Sequence, residues 1–202
     1  MKNLKSIILI LFFLSFIFLT GCRKSTPTQQ PNEPSTAKQE TASTPNKING
    51  IQEIIDKSRS WNATLKDFYG KEMPDFKLTD INGKSVSLKD YRGRNVMVVM
   101  WATWCQPCMQ EVPHLNTLRE MNPEDKLAIL AISNESLEIV KKTVEAQKMQ
   151  YTVIATSEQL PSPFSEVKNI PTTFFIRPDG TLKLVTEGST VYGEMKAILL
   201  AE

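Results

Sequence analysis

Two uninterrupted apolar runs constrain the fold of this chain more than any other feature of its sequence. They cover residues 95–101 and residues 127–133. A segment that is apolar at nearly every position predicts a strand that is buried on both faces. The segment between them, residues 105–121, predicts a helix. A strand–helix–strand unit of this kind predicts an α/β fold in which a sheet lies between helices.

The flanking segments extend this pattern through a folded region that we place at residues 49–202. The Asn82-Gly83 step predicts a β-hairpin, and Ser133 or Asn134 is a candidate cap for the helix that follows the second apolar run. The predicted elements are one or two short helices within residues 51–68, strands at residues 76–78, 84–88, 172–177 and 181–185, and helices at residues 135–148 and 191–200.

The first 21 residues have the pattern of a targeting signal. Lys2 and Lys5 precede an apolar run over residues 7–19, which is shorter than the roughly 20 residues of a membrane-spanning helix. The run ends in Leu-Thr-Gly before Cys22, a sequence that resembles the bacterial lipobox. We therefore predict a lipoprotein signal peptide at residues 1–21 and lipidation of Cys22. An ordinary signal peptide, or an uncleaved anchor, is the alternative.

The segment that follows Cys22 is rich in proline and polar residues. Residues 23–46 contain four prolines and no aromatic residue. Such a composition buries too little apolar surface to offset the entropy of ordering the chain. We predict that residues 22–48 form a lipidated, disordered tether. The chain's formal net charge of +2 equals the contribution of Lys2 and Lys5, so it gives no indication of nucleic-acid binding.

The segment with the clearest chemistry is WATWCQPC, at the junction between the first apolar run and the helix. Two cysteines at this spacing, Cys105 and Cys108, can close a small disulfide. A helix N-terminus stabilises a thiolate, and Pro107 is tolerated in the first helical turn. We expect Cys105 to be the more exposed cysteine and the nucleophile, with Cys108 as the resolving thiol. Such a pair exchanges disulfides through a mixed-disulfide intermediate.

Other uses of a CxxC pair fit this sequence less well. A zinc site needs further ligands, and only Cys22 and His114 remain. Covalent haem attachment needs a histidine where the chain has Met109. A purely structural disulfide stays open, although so short a loop gains little chain entropy. We predict no metal site and no cofactor, and we expect His114 to be a partly exposed helix residue.

Residues 71–202 resemble the TlpA/ResA group of membrane-anchored thioredoxin-like proteins, within the wider redoxin (AhpC/TSA-like) family. The motifs that carry the resemblance are Pro-Asp-Phe at residues 74–76, the hairpin at 80–83, Tyr-Arg-Gly at 91–93, WATWCQPC, Ile-Pro-Thr-Thr-Phe-Phe at 170–175 and Pro-Asp-Gly at 178–180. The resemblance implies a thioredoxin-like fold, with a central mixed β-sheet flanked by helices and an N-terminal β-hairpin extension.

The resemblance also implies site residues beyond the two cysteines. Ile170 and Pro171 would be joined by a cis peptide bond beside the pair, where the backbone of Ile170 can pair with an extended substrate. Trp104 and Pro107 would border the same groove. Glu111 falls where ResA-like proteins carry a functional acid, and a solvated helix charge is the alternative. Cytoplasmic thioredoxin has a buried aspartate on the preceding strand, where this chain has Val99.

The function implied is that of an envelope thiol–disulfide oxidoreductase, lipid-anchored outside the cytoplasm of a bacterium. We expect it to reduce disulfide-containing envelope proteins, with apocytochrome c as one candidate partner and a membrane protein as the upstream electron donor. The anchor would lie in the outer membrane of a Gram-negative cell or the plasma membrane of a Gram-positive one. A thiol peroxidase is one alternative, although Ala102 occupies the usual threonine position. A copper carrier is the other, with His114 as the only histidine.

Overall fold

A five-stranded mixed sheet organises the part of the chain that the computed structural model describes, which is Ile54 and residues 63–201. Its strand order is β5-β4-β3-β6-β7. The strands are β3 (Asn95–Met100), β4 (Leu127–Ser133), β5 (Thr152–Ala155), β6 (Thr172–Ile176) and β7 (Leu182–Glu187). The predictions for the signal peptide, for Cys22 and for the tether lie outside the described residues.

The two apolar runs form the centre of this sheet. Strand β3 pairs with β4 in parallel and with β6 in antiparallel orientation. Strand β5 continues the parallel half beside β4, and β7 continues the antiparallel half beside β6. Every residue of β4 is buried, which confirms the prediction of a strand covered on both faces. Strand β5 was not predicted.

Three α-helices accompany the sheet within residues 63–201. They are α1 (Gln106–Met121), α2 (Leu137–Gln147) and α3 (Tyr192–Leu200). Helix α2 begins two residues later than predicted, and its N-cap position is held by Ser136. The suggested caps Ser133 and Asn134 were therefore wrong. The Ser133 hydroxyl donates to the Glu135 side chain and accepts from the Glu135 N–H, so it closes a turn that ends before the helix begins.

A separate two-stranded hairpin confirms the predicted N-terminal extension. Strands β1 (Lys77–Thr79) and β2 (Ser85–Ser87) pair in antiparallel orientation. In the turn, the Asp80 carboxylate accepts hydrogen bonds from the N–H groups of Asn82 and Lys84. Gly83 has a φ of 88°, a conformation in which glycine avoids a Cβ clash. Shorter 3₁₀ helices occur at Ala63–Phe68, Leu88–Tyr91 and Phe164–Glu166.

The sheet separates two hydrophobic clusters, and alternate residues of β3 belong to different clusters. Val96 and Val98 belong to one, which includes Phe164 and Phe174. Its members also include residues of the β-hairpin and of the 3₁₀ segments. The other cluster contains Met97 and Val99 of β3, both cysteines of the WATWCQPC segment, and residues of α1 and α3. The cysteine pair is therefore part of a packed core, at the end of the sheet where β3 and β4 terminate.

Candidate active site

Cys105 and Cys108 form a disulfide at the junction of β3 and α1. Their Cα atoms are 5.2 Å apart. Cys105 is the N-cap residue of α1, and its Sγ accepts a hydrogen bond from the backbone N–H of Cys108 at 3.2 Å. The sulfur of Cys105 therefore occupies the place where a helix N-terminus presents unpaired N–H groups and positive potential. This arrangement can stabilise a thiolate when the pair is reduced.

Burial does not distinguish the two cysteines in the way that the sequence suggested. Cys105 is 4% exposed and Cys108 is 3% exposed, so the expectation that Cys105 is the more exposed is not met in the disulfide form. Both side chains pack into the hydrophobic cluster beneath the sheet. The two sulfurs differ in their surroundings instead: Cys105 lies next to Ile170, and Cys108 faces an internal cavity.

The Ile170–Pro171 peptide bond is cis, as predicted. It places the carbonyl oxygen of Ile170 3.7 Å from Cys105 Sγ. Because a disulfide sulfur carries no proton, this is a contact and not a hydrogen bond. The Pro171 carbonyl accepts a hydrogen bond from the N–H of Gly188 at 2.8 Å, which holds this loop against the segment that follows β7.

An open cavity of about 260 Å³ is lined by residues that neighbour the pair, although neither cysteine is among the lining residues. Trp104 and Ile170 both line it, and Trp104 is 74% exposed. Lys168 also lines the cavity. Pro107 is exposed but is not among the lining residues, and neither is Pro171. The structure thus brings two of the four predicted substrate-contacting residues together at this cavity.

Glu111 lies one helical turn after Cys108, and its side chain is buried. It is 1% exposed, so the alternative of a solvated helix charge was wrong. Its Oε1 accepts a hydrogen bond from the backbone N–H of Thr190 at 3.0 Å. Burial raises the pKa of the Glu111 carboxyl to about 7, and the Thr190 hydrogen bond partly opposes that rise. Glu111, Cys108 and Val99 line the same internal cavity.

The raised pKa of Glu111 predicts that stability falls as pH rises. The folded protein favours the protonated carboxyl, so the contribution is complete below the unfolded pKa of 4.5 and is lost as pH passes through about 7. We expect the oxidised chain to lose about 3 kcal/mol of unfolding free energy over this interval. The Glu111→Gln variant, which is neutral throughout, should lack this loss. Urea unfolding at a series of pH values measures the difference, and parallel curves for the two proteins would contradict it.

A second carboxylate, on Glu135, was missed by the sequence analysis. It accepts hydrogen bonds from the backbone N–H of Thr103 at 2.6 Å and from the Thr103 hydroxyl at 2.7 Å. The Ser133 hydroxyl donates to the same carboxylate at 3.0 Å. Glu135 therefore ties the loop before Cys105 to the end of β4. No local pattern marks it, because its partner Thr103 is 32 residues away in sequence.

His114 is half-buried on α1, as expected. Within residues 63–201 and at Ile54, no group of three His, Cys, Asp or Glu side chains is placed to hold a metal ion. None of the helices described here is both long enough and apolar enough to cross a membrane.

Comparison with known proteins connects this site with a family. Residues 69–185 match the model of the AhpC/TSA family. The chain is 37% identical over 113 residues to the thiol-disulfide oxidoreductase ResA of Bacillus cereus, a match that covers 55% of this chain and 65% of the relative. It is 30% identical over 131 residues to the thioredoxin-like protein YneN of Bacillus subtilis, covering 63% of this chain and 76% of that one.

Solved structures show the same fold. One is a Chlorobium tepidum protein described as the thiol:disulfide interchange protein DsbE, with a TM-score of 0.60 and 26% identity. That likeness covers 66% of this chain and 96% of the other. Another is StoA from Bacillus subtilis, with a TM-score of 0.55 and 19% identity, covering 62% of this chain and 96% of the other. The expectation of a thioredoxin-like fold is confirmed.

Proposed function

This chain belongs to the AhpC/TSA family, and we propose that it is a thiol–disulfide oxidoreductase of the bacterial envelope that reduces partner disulfides. The observation that carries the proposal is the Cys105–Cys108 disulfide at the N-terminus of α1, beside the cis Ile170–Pro171 bond. Two relatives support the same chemistry by their names: ResA is called a thiol-disulfide oxidoreductase, and YneN is called a thioredoxin-like protein.

The proposed reaction begins with the reduced pair. The Cys105 thiolate attacks one sulfur of the partner disulfide, a Cys105–partner bond forms, and the other partner sulfur leaves as a thiolate. Cys108 then gives up its proton and attacks Cys105 Sγ. The Cys105–Cys108 bond forms, the mixed disulfide breaks, and the second partner sulfur leaves as a thiolate. The partner gains two electrons, which the cysteine pair loses, and an upstream membrane donor restores the dithiol.

Glu111 is the proposed acceptor of the Cys108 proton. A general base works best when its pKa lies near the working pH, and burial brings the pKa of Glu111 to about 7. Its position one helical turn from Cys108, on the same internal cavity, supports this role. Trp104 and Ile170, which line the open cavity, are proposed to contact the partner, and the carbonyl oxygen of Ile170 lies 3.7 Å from Cys105 Sγ. Pro107 and Pro171 are proposed to shape the same surface.

Catalysed reduction of insulin by dithiothreitol tests the activity. We expect the full chain to accelerate the appearance of insulin thiols well above the uncatalysed rate. The Cys22→Ser variant should retain that activity, because Cys22 lies outside the redox pair. A rate no higher than that of dithiothreitol alone would contradict the proposal. Apocytochrome c is the candidate natural partner, and the same assay with its oxidised CxxCH segment would measure the preference.

We also propose that the mature chain begins at a lipidated Cys22 and is anchored outside the cytoplasm. The pattern of Lys2, Lys5, a short apolar run and Cys22 supports this proposal. Mass spectrometry of the chain produced in a bacterium should find Cys22 as the N-terminal residue, carrying a diacylglyceryl thioether. The chain should be recovered with the membranes, and Cys22→Ser should release it from them. A free Cys22 thiol in the mature chain would contradict the anchor.

A further inference from the structure

The loop between β3 and α1 leads directly into the first cysteine of the pair. Just after β3, the Trp101 N–H still donates to the Ile132 carbonyl of β4 at 3.1 Å. The chain then leaves the sheet and turns, and the Cys105 N–H donates to the Ala102 carbonyl at 3.2 Å. The path of residues 102–104 therefore decides where the Cys105 sulfur lies.

A single carboxylate, that of Glu135, holds the middle residue of this loop. Its Oε2 accepts from the Thr103 N–H at 2.6 Å, and its Oε1 accepts from the Thr103 hydroxyl at 2.7 Å. Hydrogen bonds to an ionised acceptor are roughly twice as strong as bonds between neutral groups. Both residues are half-buried, so water has only partial access to these bonds. Glu135 therefore restrains both the backbone and the side chain of Thr103.

The Glu135 side chain is itself held by the end of the sheet. The Ser133 hydroxyl donates to Glu135 Oε2 at 3.0 Å and accepts from the Glu135 N–H at 3.3 Å. Ser133 is the last residue of β4 and is 1% exposed. Its carbonyl accepts from the N–H of Thr156, just beyond β5, at 2.9 Å. The carboxylate thus connects the loop before Cys105 to two parallel strands of the sheet.

This connection matters most when the cysteine pair is reduced. In the disulfide form, the covalent bond to Cys108 restrains the Cys105 sulfur. Reduction breaks that bond, and Cys105 is then restrained by the helix that follows it and by the loop that precedes it. Disulfide exchange needs the attacking sulfur in line with the two sulfurs of the partner. A misplacement of about 1 Å can cost about 100-fold in the rate of such a reaction.

We propose that Glu135 is a positioning residue for the Cys105 nucleophile. Through Thr103 it holds residues 102–105 in place when the pair is reduced, so that the Cys105 thiolate meets a partner disulfide in the aligned geometry. This inference rests on the proposed function. Glu135 acts through Thr103 and takes no part in bond making, so the electrons and protons of the exchange move as described above.

Amide hydrogen exchange tests the hydrogen bonds without any turnover. The measurement uses nuclear magnetic resonance on the oxidised, ¹⁵N-labelled full chain in detergent solution. We expect the Thr103 amide to exchange slowly in the unaltered chain and many-fold faster in Glu135→Ala. In Glu135→Gln it should stay protected, because the amide oxygen still accepts from the Thr103 N–H. Equal exchange of the Thr103 amide in the unaltered chain and in Glu135→Ala would overturn the proposal.

Asp75 supplies a matched control, because its carboxylate makes the same kinds of hydrogen bond near the β-hairpin. It accepts from the Ser87 hydroxyl at 2.8 Å and from the Lys89 N–H at 3.1 Å. In Asp75→Ala the Lys89 amide should lose protection while the Thr103 amide keeps it. Loss of Thr103 protection in Asp75→Ala would mean general loosening of the fold and would overturn the assignment to Glu135.

The rate of the first attack tests the positioning role itself. In the Cys108→Ser background, formation of the adduct between Cys105 and insulin reports that step alone. We expect Glu135→Ala to slow it about tenfold or more, and Asp75→Ala to leave it unchanged. Glu135→Gln should stay within about twofold of the reference, because its amide can pair with the same three groups. An unchanged rate in folded Glu135→Ala, or a Glu135→Gln rate as low as that of Glu135→Ala, would overturn the role.

Thr103→Val keeps the role testable if urea unfolding shows that Glu135→Ala does not fold. Valine keeps the shape of the side chain and the backbone N–H, and it removes only the hydroxyl bond to Glu135. We expect the first attack to slow several-fold, and an unchanged rate would overturn the role. Failure of the unaltered chain to exchange with insulin would overturn the proposed function and this role with it. Exchange that is equally fast with and without the Glu135 tie would overturn the role alone.

Discussion

Replacement of Cys105 by serine is expected to abolish disulfide exchange. A serine hydroxyl cannot form the mixed disulfide, and no other thiol occupies the N-cap of α1. The rate of insulin reduction should fall by about three orders of magnitude or more, as occurs when an enzyme loses an essential nucleophile. The measurement is the initial rate of thiol release at a fixed dithiothreitol concentration, corrected for the uncatalysed reaction.

The matched control for this loss is Cys22→Ser, which also removes one sulfur but leaves the pair intact. We expect Cys22→Ser to be as active as the unaltered chain and Cys105→Ser to be inactive. This result would assign the loss of activity to the thiol at the N-terminus of α1. Urea unfolding of both variants separates loss of chemistry from loss of fold. Activity that survives in a folded Cys105→Ser protein would contradict the assignment of the nucleophile.

Replacement of Cys108 by serine is expected to have a different outcome, the accumulation of a covalent intermediate. Cys105 can still attack a partner disulfide, but the variant lacks the Cys108 thiol that would resolve the mixed disulfide. Turnover should fall to near the uncatalysed rate. One equivalent of partner should remain bound per chain, as detected by mass spectrometry under non-reducing conditions.

Two further variants show whether the trapped bond is the predicted one. The adduct should be absent from the Cys105→Ser, Cys108→Ser double variant, and it should form unchanged when Cys22→Ser is combined with Cys108→Ser. Dithiothreitol should release the partner completely. An adduct that maps to Cys22, or one that fails to form in folded Cys108→Ser, would contradict the division of roles between the two cysteines.

The sequence predicted best those elements that are buried at every residue. Residues 127–133 are apolar or small throughout, and the structure gives β4 the bounds Leu127–Ser133. Strand β5, Thr152–Ala155, has only four residues, of which the first and last are half-buried. So short an edge strand carries too weak a pattern to stand out from its surroundings.

Side-chain partners that are distant in sequence could not be predicted at all. Glu111 was proposed from its spacing after Cys108 and from a family resemblance, but its burial depends on α3 and on Thr190, which is 79 residues away. Likewise, Glu135 binds the loop before Cys105 through the Thr103 N–H, but in the sequence it is only a polar residue near the start of a predicted helix.

The cis bond before Pro171 is the opposite case, because the family resemblance predicted it and the local sequence did not. A proline before a strand is compatible with a trans bond, and only the paired occurrence of WATWCQPC and Ile-Pro-Thr-Thr-Phe-Phe indicated the cis form. The exposure of Cys105 was predicted from its place at the helix start. It was not met because the side chain packs beneath Ile170 in the hydrophobic cluster.

The Cys105–Cys108 pair is proposed to pass two electrons to a partner disulfide. Its most direct test mixes the reduced full chain with an equimolar disulfide partner, quenches with acid, alkylates all free thiols and counts them by mass. We expect the thiols of Cys105 and Cys108 to disappear together as the partner gains two thiols, one pair for one disulfide, with Cys22 unchanged. Partner thiols that appear while Cys105 and Cys108 are still recovered as free, alkylated thiols would contradict this electron transfer. The absence of any exchange would contradict it as well.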